Sequence, residues 1–151
     1  MAQLATPEEL FETAFAEAPI GIALVGLDGT WLKVNRALCE LVGYPEPELL
    51  TLTFQDITHP DDVDADLALA RQLEAGEIPS YQMEKRYITR TGEVIWVHLS
   101  VSLVRDREDR PRHFISHIQD ISPRKRDEEA LRRDRRALDE AQQIAHVGSW
   151  S

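Results

Sequence analysis

The sequence predicts an α+β domain in which two strands are followed by several helices and then by three more strands. Apolar and polar residues alternate over residues 81–88 and 94–103, which is the period of a half-buried β-strand. Upstream, Asp28-Gly29 lies between two apolar runs, as in a hairpin. The region between these strands carries helix-start signals instead. This order predicts an antiparallel sheet with helices packed against it.

A short amphipathic helix precedes the sheet. Thr6, Pro7 and Glu9 supply a capping residue, a proline at the first helical position and a carboxylate three residues after the cap. The helix carries one apolar stripe, formed by Leu10, Phe11, Ala14 and Phe15. Such a stripe must be buried, either on the domain's own sheet or against a second copy of the chain. The sequence leaves both arrangements open.

A hairpin and a helix come next. Asp28-Gly29 is a strong signal for a two-residue turn, and the apolar runs 20–27 and 30–34 on either side form the first two strands. Asn35 caps the following helix and Gly43 ends it. Three residues at helical spacing point toward the interior: Leu38, Cys39 and Val42.

A longer helix covers the sheet. After Pro45 and Pro47 break the chain, residues 58–62 supply a capping residue, a proline and two acids for a first helical turn. This helix continues to Ala75, where Gly76 stops it. Its apolar stripe consists of Val63, Leu67, Leu69, Ala70 and Leu73. A helix with such a stripe packs on the sheet and does not stand free in solvent.

Three further strands form a meander. Residues 81–88 place Tyr81, Met83 and Tyr87 on one face, because strand side chains alternate. Residues 94–103 present Val97, Leu99, Val101 and Leu103 to the core, which puts Trp96 on the mostly polar face. The third strand, residues 113–121, follows a highly charged loop.

Composition limits the classes of function. Residues 1–122 carry 10 basic and 21 acidic side chains, and the whole chain has a net charge of −10. Such a surface repels phosphate backbones, which argues against direct nucleic-acid binding. The longest apolar run, residues 18–27, is too short to span a bilayer, and the acidic N-terminus does not resemble a secretion signal. One cysteine, Cys39, excludes an internal disulfide and fits a reducing cytoplasm.

Several short motifs occur in order along the chain. They are Ala18-Pro19-Ile20-Gly21, Asn35-Arg36-Ala37 with Gly43-Tyr44, Thr58-His59-Pro60-Asp61-Asp62, Glu84-Lys85-Arg86-Tyr87 with Gly92 and Trp96, and Asp120-Ile121-Ser122. Each alone is weak, but together and in this order they resemble a PAS domain over about residues 11–122. The resemblance implies a five-stranded antiparallel sheet in spatial order 2-1-5-4-3, with helices over one face that enclose a small pocket.

The resemblance also implies a function. PAS domains act as sensors or dimerisation modules that bias a partner domain in signalling proteins, among them histidine kinases and cyclic-di-GMP enzymes. We therefore expect a cytoplasmic sensory or relay module, itself not an enzyme, with a C-terminal output domain in its parent chain that is a histidine kinase, a diguanylate cyclase or a phosphodiesterase. A small ligand would occupy a pocket lined by Leu38, Cys39, Val42, Leu69, Leu73, Met83, Tyr87, Leu99 and Phe114.

Signal transmission is expected at the end of the last strand. Asp120, Ile121 and Ser122 match the family's hinge between the sheet and an output helix. An acid at this point can pair with a base such as Arg107, and rearranging the pair would change how the helix leaves the sheet; an exposed ion pair of little energetic weight is the simpler interpretation.

The tail predicts a helix and then the start of another domain. Leu131 and Leu138 are seven residues apart, a thin heptad signal for a parallel dimer, although a solvated single helix fits equally well. The expected divisions are a helical cap at residues 1–17, the PAS domain at 18–122, a signalling helix at 123–143 and a truncated second repeat at 144–151. A homodimer would use Leu10, Phe11, Phe15, Trp96, Leu131 and Leu138.

Cofactor and metal sites receive little support from the sequence. The reactive-cysteine motif of flavin-binding relatives does not occur, and Cys39 is expected to pack in the core. A haem-based gas sensor stays as an alternative with His59 as its axial ligand, but the position of His59 at a helix start favours a capping role. His98 and His117 can face each other on paired strands, yet two histidines make a poor metal site.

Enzymatic interpretations fail for lack of motifs. The sequence contains neither a glycine-rich phosphate loop nor a nucleophile elbow, so no catalytic residues are predicted. Asp61, Asp62, Asp64 and Asp66 are interpreted as a solvated acidic face of the long helix. Besides the sensory module, a constitutive dimerisation spacer without a ligand is left open, and bulky residues that fill the pocket would support it.

Overall fold

The computed structural model describes the backbone of residues 5–148 and the side chains of residues 5–142. Within the described backbone, six helices and five strands follow one another in the predicted order. They are α1 Pro7–Glu17, β1 Gly21–Val25, β2 Trp31–Val34, α2 Arg36–Val42, α3 Glu46–Leu49, α4 Phe54–Ile57, α5 Pro60–Glu74, β3 Ser80–Ile88, β4 Val94–Arg105, β5 Pro111–Asp120 and α6 Ser122–Gly148. The chain forms two compact units, residues 1–120 and 121–151.

The five strands form one antiparallel sheet in the order β2-β1-β5-β4-β3. This confirms the spatial order that the family resemblance implied. The central strand is β5, because it pairs with β1 on one side and β4 on the other. The strand that ends the first unit therefore lies in the middle of the sheet.

Three hairpins use the same short loop. In each, the first residue donates its N–H to the carbonyl four residues later: Gly26 to Thr30, Thr89 to Glu93 and Asp106 to Arg110. The fourth residue of each loop has a positive φ: 92° at Gly29, 89° at Gly92 and 64° at Asp109. The predicted two-residue turn at Asp28-Gly29 is therefore wrong by one residue, because Leu27 also belongs to the loop.

Buried Asn35 ties the N-terminal elements together. Its side-chain oxygen accepts from the N–H groups of Leu38 and Ile22, which caps α2 and anchors β1. Its amide nitrogen donates to the carbonyls of Phe15 and Ile20, and so fixes the end of α1. The predicted cap is confirmed, and it serves three elements at once.

The segment after α2 differs from the prediction. Pro45 and Pro47 were expected to break the chain, but the short helix α3 spans Glu46–Leu49. Proline is tolerated there because the first N–H groups of a helix have no intrahelical partner to lose. The long helix α5 ends as predicted, with Gly76 at φ 78° directly after its C-cap.

The second unit is the helix α6, which is 27 residues long. Its helical backbone continues through residues 144–148, where the sequence predicted the start of another PAS repeat. Residues 149–151 lie outside the described residues, so the second repeat stays a prediction. Between residues 122 and 142, Leu131 and Leu138 are exposed apolar side chains on this helix.

Candidate functional site

A buried ion pair lies under the helix-covered face of the sheet. The alternation of β3 turns Lys85 inward together with Tyr81 and Tyr87, and α5 brings Asp66 to meet it. Lys85 Nζ donates to Asp66 Oδ2 at 2.5 Å and to Thr58 Oγ1 at 3.0 Å. Tyr81 donates its hydroxyl to the other oxygen of Asp66 at 2.8 Å. Lys85 and Asp66 are each only 1% exposed, so the pair is removed from water.

Enclosure shapes the electrostatics of this cluster. Burial lowers the pKa of Lys85, and the Asp66 carboxylate opposes part of that shift. Burial, together with the charge of Asp66, raises the pKa of both Tyr81 and Tyr87. The ammonium group also lies 4.7 Å from the ring centroid of Tyr87 and 5.2 Å from that of Phe54, within the range of cation–π attraction.

A small cavity adjoins the ion pair. Its volume is about 20 Å³, which has room for an ordered water but not for a porphyrin or a flavin. Asp66, Lys85, Tyr81 and Ser116 give it a polar side. The other lining residues are Val25, Phe54, Ala70, Tyr87, Leu99, Val101 and Phe114.

A second ion pair joins the same two elements at the surface. Arg86 follows Lys85 on β3 and points to the opposite face, where its guanidinium donates to both oxygens of Asp62 at 2.8 and 3.0 Å. Asp62 also accepts from the backbone N–H of Arg86, and these hydrogen bonds hold the pKa of Asp62 below its usual value. The guanidinium carbon lies 5.2 Å from the ring centroid of Trp96.

The predicted acidic face is therefore only partly correct. Asp61 and Asp64 are exposed, but Asp66 is buried against Lys85 and Asp62 is bound by Arg86. The prediction for Asp66 was wrong because the acids of α5 were interpreted as spread around the helix. Asp66 in fact shares a buried stripe with Ala70 and Leu73, which follow it at helical spacing. Lys85 at an inward position of β3 was the complementary signal that the sequence interpretation missed.

The structure brings together only some of the predicted pocket residues. Tyr87, Leu99 and Phe114 line the cavity beside the ion pair. Leu73 lies at the far end of α5, beside a separate surface groove with Leu103 and Arg105. The remaining predicted residues belong to or pack against the hydrophobic core without lining the cavity: Leu38, Cys39, Val42, Leu69 and Met83.

His59 acts as the N-cap of α5. Its Nδ1 accepts from the backbone N–H of Asp61 at 3.1 Å, and it does not line the cavity. This is the capping role that the sequence favoured for His59. His98 and His117 do not oppose each other, because His98 pairs with Gln119 and His117 with Ser100. Among the described residues, no group of three or more potential metal ligands forms.

The predicted dimer residues divide into two sets. Phe15 is 4% exposed and packs with Phe11 and Lys33, so it is unavailable to a partner. Leu10 and Phe11 on α1 are exposed, and Trp96 is half-buried beside Arg86. On α6, Leu131 and Leu138 are exposed as well.

The predicted hinge lies where β5 gives way to α6. Asp120 is the last residue of β5, Ile121 follows it, and Ser122 begins α6. The suggested pairing of Asp120 with Arg107 is wrong, because Arg107 lies in the β4–β5 loop at the opposite end of β5. A strand of this length separates the two by far more than an ion-pair distance.

Family comparison agrees with this architecture. The family model for the PAS fold matches residues 8–121. The chain belongs to the PAS family. The matched range includes most of α1, and the division into a helical cap at residues 1–17 and a domain at 18–122 stays a prediction.

Similar proteins are signalling proteins of much greater length. The chain is 43% identical over 143 residues to a probable diguanylate cyclase, DgcE, of Escherichia coli strain K12, covering 95% of this chain and 13% of that protein. It is 28% identical over 149 residues to the sensor histidine kinase TmoS of Ectopseudomonas mendocina, covering 98% and 15%. A crystal structure of a sensory box histidine kinase/response regulator from Burkholderia thailandensis shares 27% identity and a TM-score of 0.66, covering 87% and 99%.

This PAS chain thus spans a small part of the curated relatives that it matches. It is homologous to segments of a probable diguanylate cyclase and of a sensor histidine kinase. Of the helices in the described part of the chain, none has the length and apolar character to cross a membrane.

Proposed function

We propose that this PAS domain is a sensory or relay module of a longer, cytoplasmic signalling protein, and that it passes a change at its buried polar site to an output domain through α6. One observation carries the proposal. The strand that contributes Phe114 and Ser116 to the cavity, β5, is the strand that leads through Ile121 into α6.

The mechanism is a population shift. A ligand acts on the output only through different affinities for two arrangements of β5 and the helix that follows it. The exposed Leu131 and Leu138, seven residues apart, support a homodimer in which two copies of α6 pair along this stripe. The output domain in the parent chain is a diguanylate cyclase or a histidine kinase, as in the two relatives.

A chimaera provides the test. This chain replaces the matched segment of the Escherichia coli diguanylate cyclase, and Ala70→Leu and Ser116→Val fill the cavity from α5 and from β5. We expect each variant to change cyclase activity severalfold at unchanged protein level. The matched control, Ser102→Val on the exposed face of β4, should leave activity unchanged.

Insertions in α6 test the route. Seven added residues after Leu138 keep the helical phase to within about 20°, whereas two rotate it by about 200°. We expect the cavity-filling variants still to change cyclase activity in the chimaera with seven added residues, and to have no effect in the chimaera with two. Equal activity in all of these chimaeras would overturn the relay proposal.

A constitutive dimerisation spacer is the second candidate. The small cavity, about 20 Å³, favours it because most of the predicted pocket space is filled by side chains. In that case the cavity-filling variants leave cyclase activity at the wild-type level, while Leu131→Glu together with Leu138→Glu lowers it by breaking the dimer. Light scattering of the purified chain reports the loss of the dimer directly.

A further inference from the structure

A groove opens at the surface of the domain where α5 ends. Its volume is about 290 Å³, close to the lower end of the range for small-molecule sites, which is roughly 300–1,000 Å³. Among the described residues, this groove and the cavity beside Lys85 share no lining residue. The groove is therefore a separate site with room for a small organic molecule. Its apolar lining consists of Leu73, Ile78, Pro79 and Leu103.

Arg105 supplies a cation to the groove. It is the last residue of β4, and its Nη1 donates to the backbone carbonyl of Asp109 at 3.0 Å. The Asp109 carboxylate lies 3.8 Å from Nε, beyond hydrogen-bond distance, so it does not fill the guanidinium fork. Nη2 lies 3.7 Å from the position that a β-carbon would take at Gly76, which also lines the groove. A planar guanidinium with open donors matches a carboxylate.

The opposite charge comes from Glu77 and from the end of α5. Glu77 is exposed and lines the same groove. The chain turns out of the helix directly before it, because Gly76 donates its N–H to the carbonyl of Leu73 and Glu77 donates to that of Gln72. The last carbonyls of a helix carry a partial negative charge, which favours a cation. This part of the groove therefore suits an ammonium group.

The two charges line one groove without forming an ion pair. Within the part of the chain that the structure describes, Arg105 pairs with Asp109 and not with Glu77. A molecule that carries both charges can bridge them, and an apolar chain on that molecule can cover the apolar lining and leave water. A carboxylate, an ammonium group and an apolar chain on one small molecule are the parts of an apolar amino acid.

We propose that this groove binds a free α-amino acid with an apolar side chain. The carboxylate of the ligand accepts from Arg105, its ammonium group lies at Glu77 and the end of α5, and its side chain packs on the apolar lining. The inference goes beyond the proposed relay function, because the site lies outside the buried cavity. The affinity is weak, on the order of millimolar, because ion pairs that stay open to solvent contribute little.

Three molecules with the same branched chain test both charges. Leucine carries both, isocaproate lacks the ammonium group and isoamylamine lacks the carboxylate. Each is titrated into the full chain at constant pH and ionic strength, and binding is followed by NMR shifts of the methyl groups of Ile78 and Leu103. We expect leucine to shift these resonances saturably, and each singly charged analogue to bind about fivefold more weakly. Glycine, which lacks an apolar side chain, should give no saturable shift.

Matched variants assign each charge to its residue. Glu77→Gln should abolish the preference for leucine over isocaproate, because the ammonium group then has no carboxylate partner. Arg105→Gln should likewise abolish the preference for leucine over isoamylamine. The control is Glu93→Gln, an exposed acid in the β3–β4 loop outside the groove, which should leave the affinities for all three molecules unchanged.

The proposal is overturned if leucine gives no saturable shift, if either singly charged analogue binds as tightly as leucine, or if Glu77→Gln keeps the preference over isocaproate. The wild-type titrations and the exposed Glu77→Gln variant do not depend on whether the fold tolerates Arg105→Gln, whose guanidinium also holds the β4–β5 loop. The relay proposal is judged separately, because the cavity-filling variants of the chimaera do not alter a residue of the groove.

Discussion

Two neighbouring cations of β3 pair with two acids that lie one turn apart on α5, but their surroundings differ. Lys85 and Asp66 are enclosed, whereas Arg86 and Asp62 lie at the surface with side chains 25% and 16% exposed. Both pairs join the same helix to the same edge strand. The difference shows that a single strand can hold a helix by two means: a desolvated contact whose loss leaves a buried charge, and a hydrated contact whose loss does not.

The largest effect on stability is expected from breaking the buried pair of Lys85 and Asp66, the inner pair. Asp66→Ala leaves Lys85 charged and buried without its carboxylate, and Tyr81 loses its acceptor. We expect the free energy of unfolding to fall by about 3–5 kcal/mol, measured by urea denaturation. Lys85→Met should lower the free energy of unfolding by a similar amount, because it leaves Asp66 buried without its cationic partner. A loss below about 1 kcal/mol for both variants would contradict the enclosed character of the pair.

Replacing the whole inner pair should reverse that loss. In Lys85→Met with Asp66→Leu, apolar side chains of similar volume occupy the site and no unpaired charge stays behind. We expect a free energy of unfolding at or above the wild-type value, by up to about 4 kcal/mol. If the double variant is as unstable as the single ones, packing and not charge governs this site.

The outer pair, Arg86 and Asp62, should contribute much less to the free energy of unfolding. Arg86→Ala removes the hydrogen bonds to Asp62 and the contact with Trp96, and we expect a loss of about 1 kcal/mol. Tryptophan fluorescence should change as well, since Trp96 loses its cation. The exposed pair Arg36–Glu40 on α2 is the control, for which Arg36→Ala should change stability by less than about 0.5 kcal/mol.

Acid should abolish the stability that the Arg86–Asp62 pair contributes. The pKa of Asp62 lies below its ordinary value of 3.8 in the folded chain, so its stabilising effect is fully present above pH 3.8 and is lost as the pH falls through the lowered value. The stability difference between wild type and Asp62→Asn should therefore shrink in that acid range. A difference that stays constant while Asp62 becomes protonated in the folded chain, as followed by NMR of its carboxyl group, would mean that the carboxylate charge is not what Arg86 binds.

The sheet could be predicted from the sequence because its signals are local. Alternation over β3 and β4, the capping residues of α1 and α2 and the glycine after α5 each follow from a few neighbouring residues. The spatial order of the strands came only from the family resemblance. The extra residue in the first hairpin was missed because Asp28-Gly29 fits both a two-residue and a three-residue loop.

The site was harder to predict than the fold. Asp66 and Lys85 are far apart in sequence, and each alone resembles an ordinary surface charge. Their meeting depends on how α5 packs across the sheet, which no local pattern specifies. The predicted pocket wall also included Leu38 and Val42, which belong to the hydrophobic core, and Leu69, which packs against that core. Volume is set by packing, which a list of inward residues does not give.

Hydrogen–deuterium exchange of α6 tests the central claim most directly. Exchange over residues 122–142 is compared between the wild-type chain and the Lys85→Met/Asp66→Leu variant, with Arg36→Ala as the remote control. If the buried site communicates with α6 through β5, exchange in α6 changes in the double variant and not in the control. Identical exchange in all three folded chains would contradict the account.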